Sequence, residues 1–146
     1  TAGFSISTYT GTGSAATIGH GLGVAPACVW VKERTNDVGN WHVYHASQAS
    51  DPQTDYLILN TTTDPVDDAT VWNDTAPTSS VFSIGSHDDV NESSGTYVAY
   101  CWAEVAGFSK FGSYIGNGSS GGDGPCNFCI HGVGGNTIRR IRRKSG

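Results

Sequence analysis

The sequence has no methionine and only three leucines among its 146 residues. The long, unbranched or γ-branched side chains that fill helix interfaces are nearly absent, which argues against a helical bundle or a coiled coil. Charge is also scarce: Asp, Glu, Lys and Arg make up 14% of the chain, against ~25% in an average soluble domain. No apolar run approaches the ~20 residues that span a bilayer as a helix, so no membrane partner is expected. Basic residues are few and displaced. Residues 1–138 hold three of them beside thirteen acids, while Arg139, Arg140, Arg142, Arg143 and Lys144 crowd the last eight positions. An acidic body repels nucleic acid, so none is expected as a partner. The basic tail is open to three readings: a solvated end, a contact for a polyanion, or a dock for the acidic body of a neighbouring copy. The chain opens on Thr1, as a processed product or a portion of something longer would.

What is present points to strands. Gly, Ser and Thr number 20, 16 and 15, and Val and Ile together number 20. β-Branched side chains suit a pleated surface, and small polar residues suit tight turns. The length is that of one domain, able to fold without disulfides. Period-two segments run over Phe4 to Tyr9, Ala27 to Lys32, Trp41 to His45, Tyr56 to Leu59, Val81 to Ile84 and Thr96 to Val105. In the segment WHVYH, Trp41, Val43 and His45 share one face, and His42 and Tyr44 the other. The last segment, TYVAYCWAEV, is apolar on both faces and is expected to be covered on both. Residues 36–40 read as a hairpin loop. The stretch Asn60 to Ser80 is long and acidic, with room for short strand pieces around Val71 and Trp72; His87 to Gly95 is a second acidic loop. No segment carries a sustained helical stripe. These features predict an all-β fold, a two-sheet antiparallel sandwich of jelly-roll type with a C-terminal partial repeat.

The repeat is visible as self-similarity. Gly3-Phe4-Ser5 followed by Tyr9-Thr10-Gly11-Thr12-Gly13-Ser14 recurs as Gly107-Phe108-Ser109 followed by Tyr114-Ile115-Gly116-Asn117-Gly118-Ser119. His20-Gly21-Leu22-Gly23 recurs as His131-Gly132-Val133-Gly134, giving a period of about 105–111 residues. The chain then divides into a sandwich unit, 1–106, and the opening strands of a second, truncated unit with a basic tail, 107–146. An orphaned opening strand has to pair somewhere. It could complete the first unit's sheet, add to a neighbouring subunit's sheet, or remain a loosely packed tail.

The runs GFSISTYTGTGSAATIGHGLGVAP, WHVYHAS, VWNDTAPTSSVFSIGS and TYVAYCWAEVAGFSKFGSYIGNGSSGGDGP resemble a β-sandwich domain of tailed-bacteriophage virion and tail-fibre-like structural proteins, where it often occurs in tandem. The likeness covers roughly residues 3–125. It implies a concanavalin-like or laminin-G-like sandwich and a virion or extracellular location, and it brings no known chemistry. After Pro125 the chain departs from the pattern: CNFCIHGVGGNTIRRIRRKSG stands where such domains continue with an aromatic strand.

Chemistry-bearing residues divide into several candidate sets. Cys126-Asn127-Phe128-Cys129 with His131 offers part of a zinc set, but four ligands are needed, and Cys28 and Cys101 sit mid-strand as buried thiols would. A disulfide at Cys126 or Cys129 is the other reading of that pair. No nucleophile elbow and no facing pair of strand carboxylates is present, so no catalytic residue and no enzyme activity is expected. The acids Asp64, Asp67 and Asp68, and Asp88, Asp89 and Glu92, could hold Ca²⁺ at a loop edge, although no DxDxDG spacing occurs; otherwise no cofactor or metal is expected. Trp72, Tyr44 and Tyr56 are the candidates for stacking on a sugar, with Trp72 in a polar loop expected to be the most exposed. Asn60, Asn73, Asn91 and Asn117 each begin a glycosylation sequon. The reading as a whole is a non-enzymatic structural protein that assembles with itself and with other virion or fibre proteins through Phe108, Phe111, Tyr114, Arg139, Arg140, Arg142 and Arg143. The alternative is a module that binds a surface glycan for host attachment.

Overall fold

The computed structural model describes residues 2–35 and 39–114. Their strands are β1 (Phe4–Thr10), β2 (Ala16–Gly19), β3 (Cys28–Glu33), β4 (His42–His45), β5 (Asp55–Ile58), β6 (Val66–Asp67), β7 (Val81–Ile84) and β8 (Thr96–Trp102). Two four-residue helical turns, α1 (Ala69–Trp72) and α2 (Asp88–Asn91), lie among them. Six strands form one antiparallel sheet in the order β1-β8-β3-β4-β5-β6, and β2 pairs with β7 in a second. The two sheets pack on each other as an all-β antiparallel sandwich, the class that the composition predicts. Among the described residues no helix is long and apolar enough to cross a membrane.

The alternation along β8 and β3 builds the core. Val29 lies opposite Cys101 and Val31 opposite Ala99. All four side chains are fully buried, as is Tyr97. Phe82 and Ile84 of β7, Val71 and Trp72 of α1 and Val90 of α2 close over them from the second layer. Full burial of each large apolar side chain contributes about 1.5–3 kcal/mol. At Gly85 the backbone needs the absence of a side chain: a Cβ there would stand 2.2 Å from the Thr70 carbonyl oxygen. That approach lets Gly85 N–H donate to the Val71 carbonyl at 2.9 Å, seating α1 on the end of β7.

Three stretches differ from the sequence expectation. The strand pieces sought around Val71 and Trp72 are instead a helical turn. Asp68 caps it, accepting from Thr70 N at 2.8 Å and from Thr70 Oγ1 at 2.6 Å, and Asn73 ends it at φ 52°. A side chain that satisfies the first free N–H of a helix outweighs the β-propensity of the short run behind it. The strand piece falls upstream, at β6. The 87–95 loop likewise holds α2, with the His87 ring accepting from Asp89 N at 3.2 Å. Finally, no residue from 107 to 114 joins a sheet ladder, and Val105 and Ser109 form an isolated bridge. Gly107-Phe108-Ser109 therefore repeats the letters of Gly3-Phe4-Ser5 without repeating their strand. Residues 115–146, which hold the rest of the proposed second unit, lie outside the described residues.

Candidate functional site

The register that buries one face of the large sheet also fixes the opposite face. Phe4 pairs with Trp102, Trp102 with Cys28, Tyr100 with Trp30, and Trp30 with Val43. Directly paired residues of an antiparallel ladder share a face. Phe4, Trp102, Trp30 and Tyr100 therefore gather on the side turned away from the core. Ring centroids are 5.3 Å apart for Phe4 and Trp102, 4.7 Å for Trp30 and Trp102, and 6.2 Å for Tyr100 and Trp102. Trp41 extends the belt by stacking on Tyr100 at 6.1 Å. Phe4 is 45% exposed and Ile6, its neighbour on that face of β1, 56%. Trp30, Trp41, Tyr100 and Trp102 are half-buried. The sequence predicts cover on both faces of β8; among the described residues only the inner face is closed.

The chain leaving β8 turns back over one end of this belt. Phe108 N and Ser109 N both donate to the Val105 carbonyl at 2.9 Å. Glu104 secures the turn, pairing with the Lys110 ammonium and accepting from Phe111 N at 3.2 Å. The Lys110 contact and the Phe111 N–H hold the Glu104 carboxyl below its usual range. The result is an apolar groove of about 490 Å³ between Phe4, Trp102, Val105, Phe108 and Phe111. Phe108, at 79% exposure, stands free above it, and the Phe111 ring lies 6.1 Å from that of His45. Alongside runs β1, which ladders with β8 alone and so presents an unpaired strand edge among the described residues. The Ser7 hydroxyl, donating to the Gly19 carbonyl at 2.7 Å, is a single tie across to β2.

The residues singled out from the sequence fall in different places. Trp72, Tyr44 and Tyr56 are 2%, 5% and 9% exposed and belong to the core. None of them presents a ring to solvent, which corrects their assignment as sugar-stacking residues; the polar neighbours Asn73 and Asp74 mark the end of α1 and leave Trp72 pointing inward. Among the described residues the large apolar side chains that reach solvent are Phe4 and Ile6, Phe108 and Tyr114, the last 72% exposed, and, away from the belt, Val24 and Leu59. Arg139, Arg140, Arg142 and Arg143 lie outside the described residues, as do Cys126, Cys129 and His131. Cys28 and Cys101 are buried and free, and burial pushes their thiols up to about 11 and about 12. The register sets them on opposite faces of the sheet, so they cannot serve one ion together. His20 is spent on its turn, accepting from Leu22 N through Nδ1 at 3.2 Å and donating through Nε2 to the Thr78 carbonyl at 3.1 Å. Neither acidic loop gathers three carboxylates among the described residues; Asp68, for one, is committed to capping α1.

The sequence, read as covering both faces of β8, places Tyr100 and Trp102 in the core. The signal that separates them from the core is the pairing of Trp30 with Tyr100 and of Phe4 with Trp102, which sets four rings on one face once the strand order is known. A two-layer sandwich with one aromatic sheet face open to solvent is the class that these features define. The chain belongs to the family described as a domain of unknown function (DUF7483), whose model matches residues 1–133. No curated protein and no solved structure matches it.

Proposed function

We propose that the protein is a non-enzymatic structural module of a virion or an extracellular fibre. It assembles with further copies and with neighbouring particle proteins through the outer aromatic face and the β1 edge. The observation that supports this reading best is the continuity of the belt: Phe4 and Ile6 on the edge strand run into Trp102, Trp30 and Tyr100 and then into the groove under Phe108. Contiguous apolar patches of this kind mark interaction surfaces on soluble proteins, and aromatic side chains dominate the buried centres of interfaces. An unpaired strand edge beside the patch adds backbone hydrogen bonds to such a contact. The resemblance to phage structural domains supplies the setting. Sedimentation of the full chain across micromolar concentrations is expected to give a species larger than the monomer. Ile6→Lys and Phe108→Lys, both at exposed positions, are expected to shift it at least tenfold toward monomer. A chain that stays monomeric throughout, or an assembly indifferent to both changes, would overturn the proposal.

The same belt favours a second reading, glycan binding, because the half-exposed rings of Trp30 and Trp102 offer flat apolar faces of the type that stack on sugars. Under that reading a glycan array gives binding that Trp102→Ala abolishes and Trp72→Phe leaves intact.

A further inference from the structure

Away from the outer face, one group of side chains is arranged as a ligand set. His42 lies on the inner face of β4, while His87 caps α2 and Asp89 sits in its first turn. Their ligand atoms all lie within 4.8 Å of one another, the only group of three or more such residues among those described. His42 Nδ1 and Asp89 Oδ2 are 3.7 Å apart. The His42 side chain is 1% exposed, yet its Nδ1 has no hydrogen-bond partner. A buried polar atom left unpaired is costly, and native structures seldom leave one without a reason. Here the unpaired atom is the one that faces the carboxylate.

We infer that His42, His87 and Asp89 form a binding site for a divalent transition ion, with zinc the best fit. Two imidazoles and one carboxylate are a borderline donor set, suited to zinc and its first-row neighbours and poorly suited to calcium, which takes six to eight oxygens. Bonds of about 2.0–2.1 Å at a tetrahedral ion set ligand atoms about 3.4 Å apart, so the 3.7 Å pair is nearly in place. The rest of the set closes through His87, which is half-buried at the rim. His87 holds only the long 3.2 Å bond from Asp89 N on its Nδ1, and ligation exchanges that bond for one to the metal. Three protein ligands leave the fourth tetrahedral position to water. The ion would clamp the loop between β7 and β8 onto β4. This site is separate from the aromatic face and does not depend on the assembly reading.

The test uses the full chain carrying Cys126→Ser and Cys129→Ser, which removes the competing thiols, and titrates it calorimetrically with zinc chloride alone. One ion per chain is expected, with a raised melting temperature because the ion binds only the native arrangement. Cobalt in the same position is expected to show absorption without a thiolate charge-transfer band. His87→Asn keeps an acceptor at the cap of α2 and removes the imidazole; Asp89→Asn keeps the side-chain shape and removes the charge. Each is expected to weaken binding at least tenfold while the metal-free melting temperature stays within a few degrees. Absence of saturable binding in the doubly substituted, thiol-depleted chain overturns the inference. So does an affinity unchanged by both the His87 and the Asp89 substitutions.

Discussion

Asn91 shows how much one buried polar side chain can organise. It is fully buried, and its amide accepts from Thr12 N at 2.8 Å and donates to the carbonyls of Ser14 at 2.7 Å and Gly85 at 2.6 Å. The turn at residues 12–14 and the end of β7 thus meet on one amide. Asn91→Ala would take the side-chain partner from the Thr12 N–H and from the buried Gly85 carbonyl, while the Ser14 carbonyl keeps the Thr12 hydroxyl at 2.9 Å, and we expect a loss of about 1–3 kcal/mol in urea unfolding, the usual cost of a buried group left unsatisfied. The sequence displays this residue only as the start of a sequon, and its burial closes that position to glycan attachment in the folded chain. Trp72 misleads in the opposite sense. Its polar neighbours suggest exposure, but the Asp68 cap, a contact made within the same helical turn, rotates it into the core. Single residues are hard to read wherever a cap or a hub decides which way the side chain faces. His42 is half legible: alternation groups it with Tyr44, and only the packing of α2 reveals that this face also holds His87 and Asp89.

At the scale of elements, β3, β4, β7 and β8 are legible because their β-branched and aromatic runs alternate with period two. β2 is not, since Ala16-Thr17-Ile18-Gly19 is too short and small-sided to stand out, and it is a strand only because β7 pairs with it from Ala16 against Ile84 to Gly19 against Val81. The seat of α1 on β7 depends on backbone proximity more than on any side chain. Gly85→Ala would drive a methyl group into the Thr70 carbonyl. The expected cost is about 1–3 kcal/mol, the usual range for overpacking, read as a lower urea midpoint. An equal midpoint would mean that the α1–β7 contact is looser than its geometry implies. The segment after β8 teaches the same lesson from the other side. Gly107-Phe108-Ser109 copies the opening of β1, but Phe4 has β8 beside it, and the copy has no strand to pair with among the described residues. Shared letters supply a matching alternation and no matching partner.

For the whole molecule, the two faces of the large sheet make an optical prediction. Trp72 is sealed in the core, whereas Trp30, Trp41 and Trp102 are half-buried on the outer belt. Acrylamide is therefore expected to quench most of the native fluorescence in the monomer. Trp72→Phe should leave the quenching constant of the remaining signal unchanged or raised, and Trp102→Phe should lower it. If oligomers form through the belt, the constant should fall as concentration rises, and Ile6→Lys should cancel that fall. The all-β class and its two-layer build are open to composition and periodicity alone. The open face is not, because openness is a property of strand order, and strand order is set by which distant segments meet.

The large sheet also ends differently on its two sides. Among the described residues one margin is the seven-residue β1, the other the two-residue β6. A margin two residues long offers too few backbone groups to template a newcomer. Growth through the sheet would therefore be one-sided: two molecules could join along their long margins, related by a two-fold axis, and the joined body would expose only short margins at either extremity. Backbone pairing along the large sheet of the described residues would by itself close as a dimer, and a longer array built from them would draw on the aromatic rings.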